Sequence, residues 1–115
     1  MLPKANCLKR KKDFEQVFKK GEGFVEDFLF LKFVLNNLKK SRFGIVVSQK
    51  ISKKATIRNK IKRRIRAIVS KVLPKIKEGV DLVLVAVPGL ENKDFWEIEE
   101  TINKLFKKAK LSKDV

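Results

Sequence analysis

Arg58, Lys62 and Arg66 recur every fourth residue, with Asn59 and Arg63 beside them and Lys60 in the same turn. On a helix, this spacing lines positive side chains along one ridge. Guanidinium groups offer planar forks that match phosphate oxygens. Asn59 can donate and accept at a base edge or sugar hydroxyl, or serve as a structural bridge to its own backbone. Lys50, Lys53 and Lys54 precede the ridge on a segment that enters the helix, where free backbone N–H groups favour anions. The chemistry implied is a continuous edge for a polyanion.

A second constellation is aromatic. Phe14 and Phe18 are one helical turn apart, while Phe28, Phe30 and Lys32 alternate along an extended segment. Packed side by side they would line a groove whose rings stack on unpaired bases while Lys32 meets a phosphate. Each Phe taken alone also reads as ordinary core. No catalytic set emerges. The chain has no His and one Cys, and it lacks both a Gly-rich phosphate loop and a close carboxylate pair within the basic region. Glu97, Glu99 and Glu100 are carboxylates that could hold a metal, but their position suits the N-terminal turn of a helix facing water. No catalytic or metal-binding residue is therefore assigned to the protein.

The charge distribution agrees. From Phe28 to Lys77 there is no Asp or Glu, and that window holds sixteen of the 29 Lys and Arg residues. The thirteen basic residues outside it match the thirteen acidic ones, so the whole excess of +16 lies within the window. A field that concentrated favours a nucleic acid, which gains affinity by releasing counterions. A solubility surface or a membrane-surface helix is the plainer alternative, but solubility surfaces intersperse both signs.

The elements that must position these residues follow from periodicity. At 115 residues and 43% hydrophobic content, one domain over residues 1–115 is expected. Residues 1–12 read as a loosely held basic arm and 111–115 as a tail. A short helix capped by Asp13 carries Phe14, Val17 and Phe18 and stops at Gly21. Phe24 to Leu35 reads as one strand with Phe28, Phe30, Lys32 and Val34 on one face and Leu29, Leu31, Phe33 and Leu35 on the other. Asn36 to Lys40 is a turn, and Arg42 to Ser48 the next strand. Ala55 to Leu73 is a long helix whose Ile57, Ile61, Ile65, Ile68 and Val72 form the buried stripe, ended by Pro74 and Gly79. Val80 to Val87 is a strand buried on both faces. A last helix begins near Asp94, where Asp94 and Glu97 have capping-box spacing, and buries Ile98, Ile102 and Leu105. The order helix, strands, helix, strand, helix makes an α+β or small α/β sandwich with helices on one sheet. No apolar run reaches the roughly 20 residues of a membrane span, and Met1 to Lys12 lacks a signal peptide's apolar stretch. Cys7 is the one cysteine, which excludes an internal disulfide, so a cytoplasmic protein is expected.

The stretch Ala55-Thr56-Ile57-Arg58-Asn59-Lys60-Ile61-Lys62-Arg63-Arg64-Ile65-Arg66 resembles the Arg-Asn-Arg signature of bacterial ribonuclease P proteins, with Lys60 at the third letter. Leu8-Lys9-Arg10 to Asp13-Phe14 with Val17-Phe18, and Arg42-Phe43-Gly44-Ile45-Val46-Val47-Ser48, follow the family in order. The resemblance spans most of residues 8–110. It departs where Ile51-Ser52-Lys53-Lys54 replaces a Gly-containing turn and where Lys32 replaces a cleft aromatic. It implies a left-handed strand-helix-strand crossover, against the general rule, and a subunit that assists Mg²⁺-dependent removal of the 5′ leader from precursor tRNA, the RNA subunit holding the metal. It further implies that Lys50, Lys53, Lys54, Arg58, Asn59, Lys60, Lys62, Arg63 and Arg66 meet ribonuclease P RNA, and that Arg10, Phe14, Phe18, Phe28, Phe30 and Lys32 form the leader cleft. No protein partner is required. A ribosomal or ribosome-assembly protein would share the ridge without needing the cleft, and a stand-alone nuclease would need the His or carboxylate cluster the chain lacks.

Overall fold

Alternating apolar residues make the sheet, and helical spacing makes its covers. In a computed structural model, which describes residues 6–111, the elements run α1 (Lys11–Lys20), β1 (Glu22–Glu26), β2 (Leu29–Leu35), β3 (Arg42–Val47), α2 (Ala55–Val72), β4 (Val80–Ala86) and α3 (Phe95–Lys108). The sheet order is β1-β2-β4-β3. β1 and β2 are antiparallel, as are β2 and β4, whereas β3 and β4 are parallel neighbours joined by α2. The class is α+β, as expected.

Register assigns the two faces. Leu29, Leu31, Phe43, Val47, Leu82, Leu84 and Ala86 form the main core with Ile61, Ile65, Ile68 and Val69 of α2 and Ile98, Ile102, Leu105 and Phe106 of α3. On the opposite face, Val83 packs with Val17 of α1 and Leu8, flanked by Phe14, Val34, Val46 and Val85. α1 therefore covers only part of its face. The Asp94 and Glu97 capping box forms as the spacing predicts.

Four expectations need correction. The strand expected from Phe24 to Leu35 is a hairpin, turned at Asp27 and Phe28, both with positive φ (37° and 66°). The alternation changes phase there, since Glu26 pairs with Leu29. Phe24 thus shares a face with Phe33, and their rings stack with centroids 6.1 Å apart. Asp13 does not cap α1; Arg10 is the N-cap residue, with no side-chain cap bond, and Asp13 pairs with Arg42 instead at 3.5 Å. The arm expected over residues 1–12 is not loose where it is described. Asn6 Nδ2 donates to the Ser41 carbonyl, Cys7 bridges to Phe43, Leu8 is buried, and α1 starts at Lys11. Residues 1–5 of the arm and 112–115 of the tail lie outside the described residues, while Leu111 is buried. Finally, Ile57, expected in the buried stripe of α2, is 38% exposed at the start of that helix. No helix among the described residues is long and apolar enough to cross a membrane.

Candidate nucleic-acid interface

α2 is amphipathic because its isoleucines recur at three and four residues, which turns Asn59, Arg63 and Arg66 to the opposite side. There, Thr56, Asn59, Lys62, Arg63 and Arg66 line a shallow open depression. Arg58 is not among them. It lies three residues before Ile61 and seven before Ile65, on the buried stripe extended to the helix start, and its Nη1 donates to the Ser52 carbonyl at 2.8 Å. The predicted ridge is thus rotated: Asn59, Lys62, Arg63 and Arg66 form the open edge, and Arg58 ties the helix to its entry loop.

The entry loop is ordered by its own side chains. Ser48 Oγ accepts from the Lys50 N–H and Ser52 Oγ from the Lys54 N–H, leaving Lys50, Lys53 and Lys54 exposed. The N-terminus of α2 has no side-chain cap and no acidic residue in its first turn, in contrast with the capping box of α3. Its backbone N–H groups and the lysines beside it present positive potential together, which suits a phosphate. Lys60 is exposed on the same helix but outside the depression.

The aromatic groove forms on the partly covered face. Phe14 rests over Gly44, where any side chain would overlap its ring. Phe18 remains 39% exposed. Phe30, Val85 and Val46 lie side by side across β2, β4 and β3 and are half-buried, so a strip of apolar floor runs beside α1. Lys32 Nζ donates to the Phe18 carbonyl at 2.9 Å and stands 6.0 Å from the Phe30 ring centroid. It caps the end of α1 and ties it to β2. Val46 and Val85 belong to this floor; the sequence pattern gives Val46 only as part of a strand and Val85 only as part of a strand buried on both faces.

Two predicted groove residues stand elsewhere. Phe28 occupies the hairpin turn, its ring against the Gly89 backbone and 5.8 Å from Lys93 Nζ. Arg10, at the α1 N-cap, lines a separate hollow with Cys7, Lys9, Asp13, Leu38, Lys40 and Arg42. Beneath that hollow, Arg42 bonds both carboxylate oxygens of buried Asp81, at 2.8 and 2.6 Å. This hydrogen bonding, reinforced by the charges of Asp81 and Asp13, raises the already high pKa of the guanidinium. The carboxylates considered for a metal are each engaged: Glu97 in the capping box, Glu99 with Lys71 at 3.1 Å, and Glu100 with Lys104 at 3.5 Å.

Comparison with known proteins agrees with this geometry along nearly the whole chain. The ribonuclease P family model matches residues 2–110. The ribonuclease P protein component of Pseudanabaena sp. (strain PCC 6903) is 36% identical over 112 residues, covering 96% of this chain and 97% of the relative. That of Synechocystis sp. (strain ATCC 27184 / PCC 6803 / Kazusa) is 39% identical over 110 residues, covering 94% and 88%. Among solved structures, the RNase P protein of Staphylococcus aureus aligns with a TM-score of 0.85 at 29% identity, covering 95% of this chain and 99% of that one. The Thermotoga maritima protein aligns at 0.80 and 34%, covering 88% and 94%. A basic edge on α2, an aromatic groove beside α1 and these matches together lead to one conclusion: the chain belongs to the family of bacterial ribonuclease P protein components, the protein subunits of a ribonucleoprotein endoribonuclease.

Proposed function

We propose that the open edge of α2, with the loop of Lys50, Lys53 and Lys54, binds ribonuclease P RNA, and that the groove of Phe14, Phe18, Phe30 and Lys32 holds the 5′ leader of precursor tRNA. The observation carrying this reading is the separation of two chemistries. Guanidinium and ammonium groups gather on the outer face of α2, while exposed and half-buried rings gather on the opposite face of the sheet. A leader of varied sequence needs stacking and phosphate contact rather than base-edge readout. A structured RNA subunit is gripped through its backbone. Mg²⁺ belongs to the RNA subunit in this reading, and the protein screens phosphate repulsion so that metal sites fill at lower concentration. The assembly works in the cytoplasm.

A ribosomal role would use the basic edge alone and leave the groove unexplained. The test adds the protein to a bacterial ribonuclease P RNA at low Mg²⁺ and follows cleavage of a precursor tRNA. Stimulation is expected, and its absence refutes the proposal.

A further inference from the structure

The α2 edge, its entry loop and the groove do not use all of the basic window. Arg42 is engaged by Asp81 and Asp13, and Lys71 by Glu99. Of the remaining cations, Lys39, Lys40 and Lys77 line one hollow together. Lys40 also borders the adjoining hollow that holds Lys9 and Arg10, so five cationic side chains form one continuous surface. It lies where β3 begins, whereas the α2 entry loop follows the end of β3. A six-residue strand separates the two surfaces by roughly 17–20 Å.

The backbone beneath this surface is fixed. Asn36 donates to Asp81 at 2.7 Å and to the Lys40 carbonyl at 3.1 Å, and accepts from the Leu38 N–H at 2.8 Å. Ser41 Oγ donates to the Lys77 carbonyl at 2.6 Å and accepts from the Val80 N–H at 3.2 Å. Gly79, at φ +77°, lies so close to the Leu38 carbonyl that a side chain would collide. The loops carrying Lys39, Lys40 and Lys77 are therefore locked to each other, and the N-terminal segment joins them through Asn6 and Ser41. Among the described residues none of the five cations has an ion-pair partner. Of the acidic residues on the rim, Asp13 pairs with Arg42. Five like charges held on a rigid base repel one another, and a polyanion relieves that repulsion.

We infer that Lys9, Arg10, Lys39, Lys40 and Lys77 form a second phosphate-backbone site, which grips RNA at the opposite end of the sheet from the α2 entry loop. It rests on the proposed RNA-binding role and, apart from Arg10, which the resemblance put in the leader cleft but the fold puts in the separate hollow, uses none of the residues assigned to the α2 edge or the aromatic groove. The phosphates could come from the RNA subunit or from the precursor tRNA, and the experiment separates these sources.

The experiment measures binding of the full-length protein to ribonuclease P RNA, and of the reconstituted holoenzyme to precursor tRNA, between about 50 and 200 mM salt. The protein is compared with the triple variant Lys39→Gln/Lys40→Gln/Lys77→Gln, the triple Lys→Arg variant and Arg63→Ala. The Gln variant is expected to lower the slope of log K against log salt by about 2 to 3 in one arm and to weaken that binding about tenfold or more, while the Arg variant stays near the parent. A change in the first arm assigns the phosphates to the RNA subunit, and a change in the second alone assigns them to the precursor. If Arg63→Ala lowers the slope but the Gln triple leaves both arms unchanged, this inference is overturned and the proposed function stands. If the parent protein binds neither RNA, both fall.

Discussion

Arg58 and Arg63 look equivalent in the sequence, yet they have different work. Arg63 lies on the open edge of α2, so Arg63→Ala is expected to lower the salt slope of binding to ribonuclease P RNA by about 1. Arg58 holds the Ser52 carbonyl. Arg58→Ala should therefore also lower folding stability by about 1 kcal/mol, allowing for its partial exposure, as read from urea unfolding. The Arg-Asn motif was legible at this scale; the inward turn of Arg58 was legible only in part. Its spacing from Ile61 and Ile65 puts it on the buried stripe, but the carbonyl it meets comes from a loop whose path the sequence does not reveal. Gly44 is a similar case, since its purpose appears only once Phe14 lies over it.

At the scale of elements, α3 carries two devices that can be tested separately. Its capping box satisfies N-terminal donors, so Asp94→Ala should cost about 1 kcal/mol in thermal or urea unfolding. Near its other end Lys108 pairs with Glu26 and also donates to the Val25 carbonyl, joining α3 to the edge strand β1. The hydrogen bond from Lys108 is the main cause holding the Glu26 carboxyl below its ordinary value of 4.5, helped by the charges of Lys108 and Lys104. A depressed carboxylate stabilises the fold above its unfolded pKa and loses that contribution as the pH falls through the folded one. Glu26→Gln should accordingly destabilise at neutral pH and converge with the parent well below pH 4.5, measured as urea midpoints. Helices and central strands were legible from periodicity. The β1–β2 turn was not, because Asp27-Phe28 lacks the Asn-Gly signal of a two-residue hairpin and the apolar residues run straight through it. A strand read across that turn leaves the face of Phe24 unassigned and misplaces Phe28.

For the whole molecule, one sheet separates two kinds of contact. α2 offers a charged edge on one side, and α1 leaves an aromatic strip uncovered on the other. The acid-free window points to a polyanion, whereas the division of its cations among the α2 edge, the structural pair of Arg42 and Asp81, and the Lys39–Lys40–Lys77 surface depends on tertiary contacts. If the two faces bind different RNAs, as proposed, the ratio of holoenzyme affinities for precursor and mature tRNA depends on the groove and is the most direct measurement of it. Phe18→Ala should reduce that ratio about tenfold, the loss of one stacked base, while Arg63→Ala weakens assembly with the RNA subunit and leaves the ratio of the assembled enzyme unchanged. A folded Phe18→Ala protein that preserves the ratio would contradict the account.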